Sequence, residues 1–209
     1  MKGLIILLMV LGVLGRYGND VKTGDLIFVG EGKGDFSKAI SESTGEEGDT
    51  VKFVHVGIIE VEESGEVYVI EASPEEGVRE IALEKFMEEV PKVNGEPIIA
   101  IKRITKDYPV SETIERAKSH LGEPYDWWYL KDNGKMYCSE LVYESYIDED
   151  GEYIFEAQPM NFRGPDGSMP QFWIELFDEL KEPIPEGKPG TNPNDMAREE
   201  CLRTLQIEF

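Results

Sequence analysis

The chain has 209 residues, enough for one domain with a substantial core. Its 43 acidic and 21 basic side chains give a net charge of -22, which argues against a protein that tracks nucleic-acid phosphates or adheres to an anionic membrane surface. Such a surface favours solubility and is compatible with cationic substrate groups, but it says nothing about chemistry.

Met1-Lys2-Gly3 precedes an apolar run from Leu4 to Gly15 that ends at Arg16. One lysine followed by about a dozen apolar residues has the length of a signal-peptide core and falls short of the roughly 20 residues of a spanning helix. Residues 1–18 therefore read as an export signal, with a buried N-terminal helix as the alternative. The expectation is an exported protein, periplasmic or secreted, with no stable membrane span after signal removal. Export permits disulfides, so a Cys138–Cys201 bridge competes with a free Cys138 thiol.

Gly24-Asp25 is a turn signal, and Leu26 to Val29 reads as a strand. Gly30 to Thr50 is rich in Gly, Ser, Asp and Glu and reads as a surface loop with a short helix about Phe36 to Ile40, of the kind that often rims a site. Two strands follow, Val51 to Val61 and Val67 to Ala72, joined by Glu63-Ser64-Gly65-Glu66 into a hairpin. His55 and Glu71 stand at the far ends of these strands. Antiparallel pairing brings them near each other unless the register slips by one residue, which would put them on opposite faces. Beyond lie an edge strand at Val78 to Ile81, a short helix at Leu83 to Met87, a strand at Pro97 to Ile104, and a helix from about Glu112 to Leu121 capped by Ser111. Another helix spans Gln171 to Leu180. Residues 183–209, with Pro183, Pro185, Pro189, Gly190 and Pro193, read as an extended tail packed on a single domain of residues 19–182.

Chemistry is expected at Tyr137-Cys138-Ser139-Glu140. Leu141, Val142, Tyr143, Tyr146 and Ile147 fit one broad helical face, so Cys138 falls where a helix begins. Unpaired backbone N–H groups and the positive end of the helix dipole favour a negative sulfur there. A thiolate at a helix start, an imidazole on a strand and a carboxylate that orients the ring are the parts of a cysteine hydrolase. In this reading Cys138 attacks a carbonyl carbon, His55 carries the proton, Glu71 accepts from the other ring nitrogen, and no cofactor is needed. Each residue alone has a structural alternative: a small buried thiol, a satisfied strand histidine, a surface carboxylate. His120 reads as structural, and a zinc site built from His55, Glu71, Cys138 and His120 lacks the short ligand spacing that marks such sites. Tyr125 and Tyr137 are candidates for a hydroxyl near the oxyanion, or else packing aromatics, and Trp127 offers an apolar wall to substrate.

Five segments then occur in a telling order: Gly24-Asp25-Leu26-Ile27-Phe28, His55-Val56-Gly57-Ile58, Val69-Ile70-Glu71-Ala72, Leu121-Gly122-Glu123-Pro124-Tyr125-Asp126 and Tyr137-Cys138-Ser139-Glu140-Leu141-Val142. Together they resemble the YiiX/YaeF-like branch of the NlpC-type superfamily, the circularly permuted papain-like hydrolases that also include lecithin retinol acyltransferase. The resemblance implies an α+β, permuted papain-like (NlpC-type) fold in which a small antiparallel sheet packs against helices. It also implies a histidine before the cysteine in the chain and a polar third residue on the next strand, places that His55, Cys138 and Glu71 fill. Glu71 departs from the histidine often found at the third position, and its charge supports an imidazolium more strongly. The expected function is an exported amidase or peptidase that cleaves amides through a thioester, with cell-wall peptide as substrate. A lipid-directed thiol acyltransferase or lipase is the alternative that the retinol-acyltransferase relatives imply, and a non-catalytic envelope binding protein is a third. The expected partner is a small-molecule, peptide or acyl-lipid substrate, not nucleic acid.

Overall fold

The computed structural model describes residues 21–207, so the export signal expected at residues 1–18 lies outside the described residues. Six strands make the central sheet: β1 (Leu26–Gly30), β2 (Phe53–Val61), β3 (Val67–Ser73), β4 (Gly77–Ala82), β5 (Ile99–Ile104) and β6 (Leu202–Thr204). Every neighbouring pair is antiparallel, in the spatial order β6-β5-β1-β2-β3-β4. Among the described residues six helices pack around it: α1 (Asp35–Thr44), α2 (Leu83–Glu89), α3 (Val110–Ser119), α4 (Cys138–Ser145), α5 (Gln171–Leu180) and α6 (Pro193–Arg198). This is the α+β arrangement that the motifs imply. Among the described residues, no helix is long and apolar enough to cross a membrane.

The period of two along each strand sorts side chains onto two covered faces. Leu26, Phe28, Val56, Ile58 and Ile70 pack with Ile114 of α3, Leu141 and Val142 of α4, and Met196 of α6. Ile27, Val29, Ile59 and Val69 pack on the other side with Leu83 and Phe86 of α2. All five residues of β1 are buried, as a strand sandwiched between two layers requires. Burying one such Leu, Ile, Val or Phe side chain contributes about 1.5–3 kcal/mol, so this central strand anchors the sheet. A third cluster joins Ala39 and Ile40 of α1 to Trp173 and Phe177 of α5 through Met160 and Phe162.

Several details differ from the sequence reading. Asp25 is more than a turn residue. Buried at the foot of β1, it accepts from Arg103 Nε at 2.6 Å and from the Lys22 backbone N–H at 2.7 Å. Gly24 before it has φ 86°, and a Cβ there would lie 2.1 Å from the Tyr108 hydroxyl, which together with that of Tyr146 donates to the Gly24 carbonyl. Helix α3 starts at Val110 behind Pro109, and the Ser111 side chain makes no cap, because Thr113 already closes the first turn onto the Pro109 carbonyl at 3.0 Å. The C-terminal segment is not simply extended. Asn192 caps α6 by accepting from the Asp195 N–H, Pro193 occupies the first turn, and β6 then joins the sheet edge against β5. From α6, the Asn194 side chain accepts from the Phe53 N–H and donates to the Phe53 carbonyl, both at 2.7 Å. The tail thereby fixes the start of β2, two residues from His55.

Candidate active site

His55 lies near the start of β2, beside an irregularity in which Val29 pairs with His55 but Gly30 pairs with Phe53. Across the hairpin, Ile58 pairs with Ile70 and Ile59 with Val69, so the same register sets Glu71 opposite Gly57 and diagonal to His55. Gly57 keeps that diagonal open. A Cβ on it would stand 2.6 Å from Val69 Cγ1 and 3.5 Å from Glu71 Cβ. His55 Nε2 hydrogen-bonds Glu71 Oε2, and the ring stacks near Phe86 with centroids 6.4 Å apart.

Glu71 is buried and doubly held. Its other oxygen, Oε1, accepts from Arg79 Nε at 2.8 Å and lies 2.6 Å from the second guanidinium nitrogen, Arg79 being its direct partner on β4. Arg79 also pairs with Glu76 and Glu89. Burial opposes charge on Glu71, but His55 and Arg79 outweigh it and hold the carboxyl below its ordinary range. Burial likewise opposes charge on His55, yet the Glu71 carboxylate and the Cys138 sulfur favour the imidazolium more strongly, and its pKa is pushed up to about 10.

Cys138 is the first residue of α4, buried, and a free thiol, as is Cys201. Its sulfur is close enough to the His55 ring to act on it electrostatically, favouring the charged imidazolium. With Nε2 engaged by Glu71, Nδ1 is the ring nitrogen left for the sulfur. The first N–H groups of α4 lack intrahelical acceptors, as at any helix start, and so surround the sulfur with partial positive charge. Helix α4 is fixed at its other end by Arg116, which donates to the carbonyls of Ser145 at 2.8 Å and Ile147 at 3.2 Å. Glu140, in its first turn, accepts from the Tyr137 N–H at 3.4 Å. Burial, helped by the Asp126 carboxylate, pushes its pKa up to about 8, so near neutrality it is mostly uncharged and does not compete with the sulfur for the helix dipole.

The loop before α4 is organised by Asp126, whose two oxygens accept from the Trp128 N–H at 3.0 Å and the Leu130 N–H at 2.7 Å. Tyr125 and Met136 are bridged beside it. Two spaces meet at this loop. Cys138 lines a small, partly open cavity of about 50 Å³ with Ile40, Val54, Tyr125 and Trp173. His55 and Glu71 line an open cleft of about 1000 Å³ with Phe36 and Arg79. Ile40, Val54 and Tyr125 belong to both walls.

The structure thus hydrogen-bonds His55 to Glu71 and sets the Cys138 sulfur near enough to His55 to act on its charge. Tyr125 stands where the spaces meet. The Tyr137 hydroxyl lines the cavity wall and accepts from the Thr191 N–H at 3.2 Å. Trp127 packs on Tyr125 and Phe36, with ring centroids 4.9 and 5.2 Å apart, and lines neither space. His120 pairs with Glu123 at 3.1 Å. Sequence reasoning missed Arg79, Asp126, Glu140 and Asn194. Of these, Asp126 carried a local signal, an aspartate able to cap the turn that follows it.

A family described as permuted papain-like amidase enzymes, YaeF/YiiX, C92 family, matches residues 20–206. The chain is 25% identical over 213 residues to the Escherichia coli (strain K12) protein YiiX, described as uncharacterized, with 100% of this chain and 98% of the relative covered. It is also similar to the crystal structure described as metalloprotein yiiX from Escherichia coli O157:H7, with a TM-score of 0.70, 23% identity, and coverage of 91% of this chain and 99% of the other. That likeness shows the fold. Among the described residues of this chain, no group of three or more His, Cys, Asp or Glu side chains is placed to hold a metal ion. Both Glu71 oxygens are already committed, to His55 and Arg79, so the donors around Cys138 do not fit one.

Proposed function

The chain belongs to the permuted papain-like amidase family, a cysteine hydrolase of the amidase kind, and from that premise we propose that Cys138, His55 and Glu71 are its catalytic groups and that it is exported and cleaves amide bonds in cell-wall peptides. The observation that carries this reading is the His55 ring, hydrogen-bonded to the Glu71 carboxylate and held toward its charged form by the nearby Cys138 sulfur, in the wall of a cleft.

The resting pair is a Cys138 thiolate and a His55 imidazolium, whose charge is balanced by Glu71. The sulfur attacks the amide carbon, forming a C–S bond. The tetrahedral oxygen is offered the Cys138 backbone N–H, unpaired at the helix start, and the Tyr125 hydroxyl. As the C–N bond breaks, His55 gives its proton to the leaving nitrogen and becomes neutral. A water then attacks the thioester, its proton passing to His55, and the acid departs as the thiolate is restored. Arg79 takes no part in proton transfer. It keeps Glu71 ionised and aimed at His55.

The apolar run at Leu4 to Gly15 supports export, and a cleft of about 1000 Å³ is large enough for a peptide. Incubating the protein with peptidoglycan fragments and with phospholipid vesicles, and reading both by mass spectrometry, tests the substrate. The expected result is amide cleavage of the fragments, absent with Cys138→Ala, and intact phospholipid. Transfer of a fatty acyl chain from phospholipid to Cys138, with the fragments untouched, would replace this reading by the lipid acyltransferase one.

A further inference from the structure

Resting on the amidase reading, and narrowing it to the amide that joins a short neutral acid to the amine end of a peptide, we infer that the enzyme selects amides with a short, uncharged acyl group and a large amine portion, the acyl group entering the cavity beside Cys138 and the amine portion lying in the cleft beside His55. Reaction geometry assigns the two sides. The acyl carbon ends on the sulfur, so the acyl substituent occupies space that Cys138 lines. The departing nitrogen takes a proton from His55, so whatever hangs on it occupies space that His55 lines.

Those spaces are unequal. The cavity on the sulfur side measures about 50 Å³, against about 1000 Å³ for the cleft on the imidazole side. A water-sized group needs at least about 10–15 Å³ of such space, so the cavity holds about four non-hydrogen atoms beyond the carbonyl. Its far walls are set by packing. Phe162 and Trp173 meet edge to face at 5.1 Å, and the Trp173 indole donates to Ser43 Oγ at 3.0 Å, locking α5 to α1 across the cavity. An acyl chain cannot lengthen in that direction without separating these two helices.

The lining also reads out chemistry. It contains no Asp, Glu, Lys, Arg or His side chain, so a charged acyl group would be stripped of water with no countercharge. It is not purely apolar, however. Ser139 Oγ, Thr191 Oγ1 and the Tyr129 hydroxyl are buried in its wall without a hydrogen-bond partner among the described residues. Ser139 is 1% exposed and directly follows the nucleophile. Three unmatched hydroxyls in a small cavity suit an acyl group that carries a neutral polar atom, such as a hydroxyl or a carboxamide oxygen.

The test uses aminomethylcoumarin amides of a graded set of acids on the full chain, with fluorophore release and the intact mass of the acyl-enzyme followed together. Acetyl, hydroxypropanoyl and butanoyl amides are expected to react best. Octanoyl and decanoyl amides should fall by at least about ten-fold in kcat/KM, and a succinyl amide should be rejected. Met160→Ala, which removes part of the cavity wall, should move the optimum toward hexanoyl and octanoyl. Phe162→Leu is a second variant read the same way. Ser139→Ala should erase the advantage of hydroxypropanoyl over butanoyl. Decanoyl reacting as well as acetyl, with its mass found on Cys138, overturns the size selectivity and leaves the hydrolase standing. Absence of any adduct or fluorophore across the whole set sinks both.

Discussion

Replacing Cys138 with alanine lowers amide turnover by about 10^4-fold or more, to the background rate, and His55→Ala does the same. The double variant is no worse than either single one, because sulfur and ring act as a unit and the loss of one already idles the other. Folding is the control. Cys138 is a small buried side chain at a helix start, and trimming its sulfur costs about 1 kcal/mol, far too little to unfold the domain. Circular dichroism and thermal unfolding of Cys138→Ala should therefore match wild type within a few degrees. Activity that survives the substitution, with only stability changed, would make Cys138 a packing residue and nothing more.

The second large effect belongs to Glu71. In Glu71→Ala the Arg79 guanidinium and the His55 ring lose the carboxylate between them, and breaking such a buried pair by deleting one partner costs about 3–5 kcal/mol. Glu71→Gln is the more informative change, since it keeps an acceptor for the ring while removing the charge. Its turnover is expected to fall by about 10^2- to 10^4-fold with the fold retained. The pH dependence of stability separates charge from shape. His55 has a raised pKa, so its contribution is fully present below its unfolded value of about 6.5 and is lost as pH rises toward about 10. Glu71 has a lowered pKa, so its contribution is present above its unfolded value of about 4.3 and is lost as pH falls through the folded one. Wild type should thus lose stability from about pH 6.5 upward, and Glu71→Gln should flatten that alkaline limb. Parallel limbs in the two proteins would mean that Glu71 does not hold the charge on His55.

Much of this site is legible in the chain. The position of Cys138 follows from where the apolar helical face begins, and the meeting of His55 with Glu71 follows from a hairpin whose turn fixes its register. Gly57 shows how the meeting is achieved: with no side chain opposite Glu71, the diagonal to His55 is clear. The unread parts depend on contacts between distant segments. Arg79 looks like an ordinary charge on an edge strand until β4 is known to pair with β3 in the register that sets Arg79 against Glu71. Asp25 reads as a turn residue because nothing local announces Arg103, which lies on β5. The C-terminal segment reads as extended because its prolines and glycines mask a short capped helix, Asn192-Pro193 being the signal that was present. The role of Asn194 as a clamp on Phe53 has no local signature at all. Nor does the inequality of the two spaces beside the sulfur and the ring, which arises from the packing of α1 on α5.

The pairing of sulfur with imidazole is tested most directly by the rate at which iodoacetamide alkylates Cys138, followed by peptide mass spectrometry as a function of pH in wild type and His55→Ala. A thiolate held beside an imidazolium predicts rapid labelling of the wild type below about pH 7 and slow labelling of the variant until the solution is alkaline. Equally slow labelling of both proteins at neutral pH would contradict it.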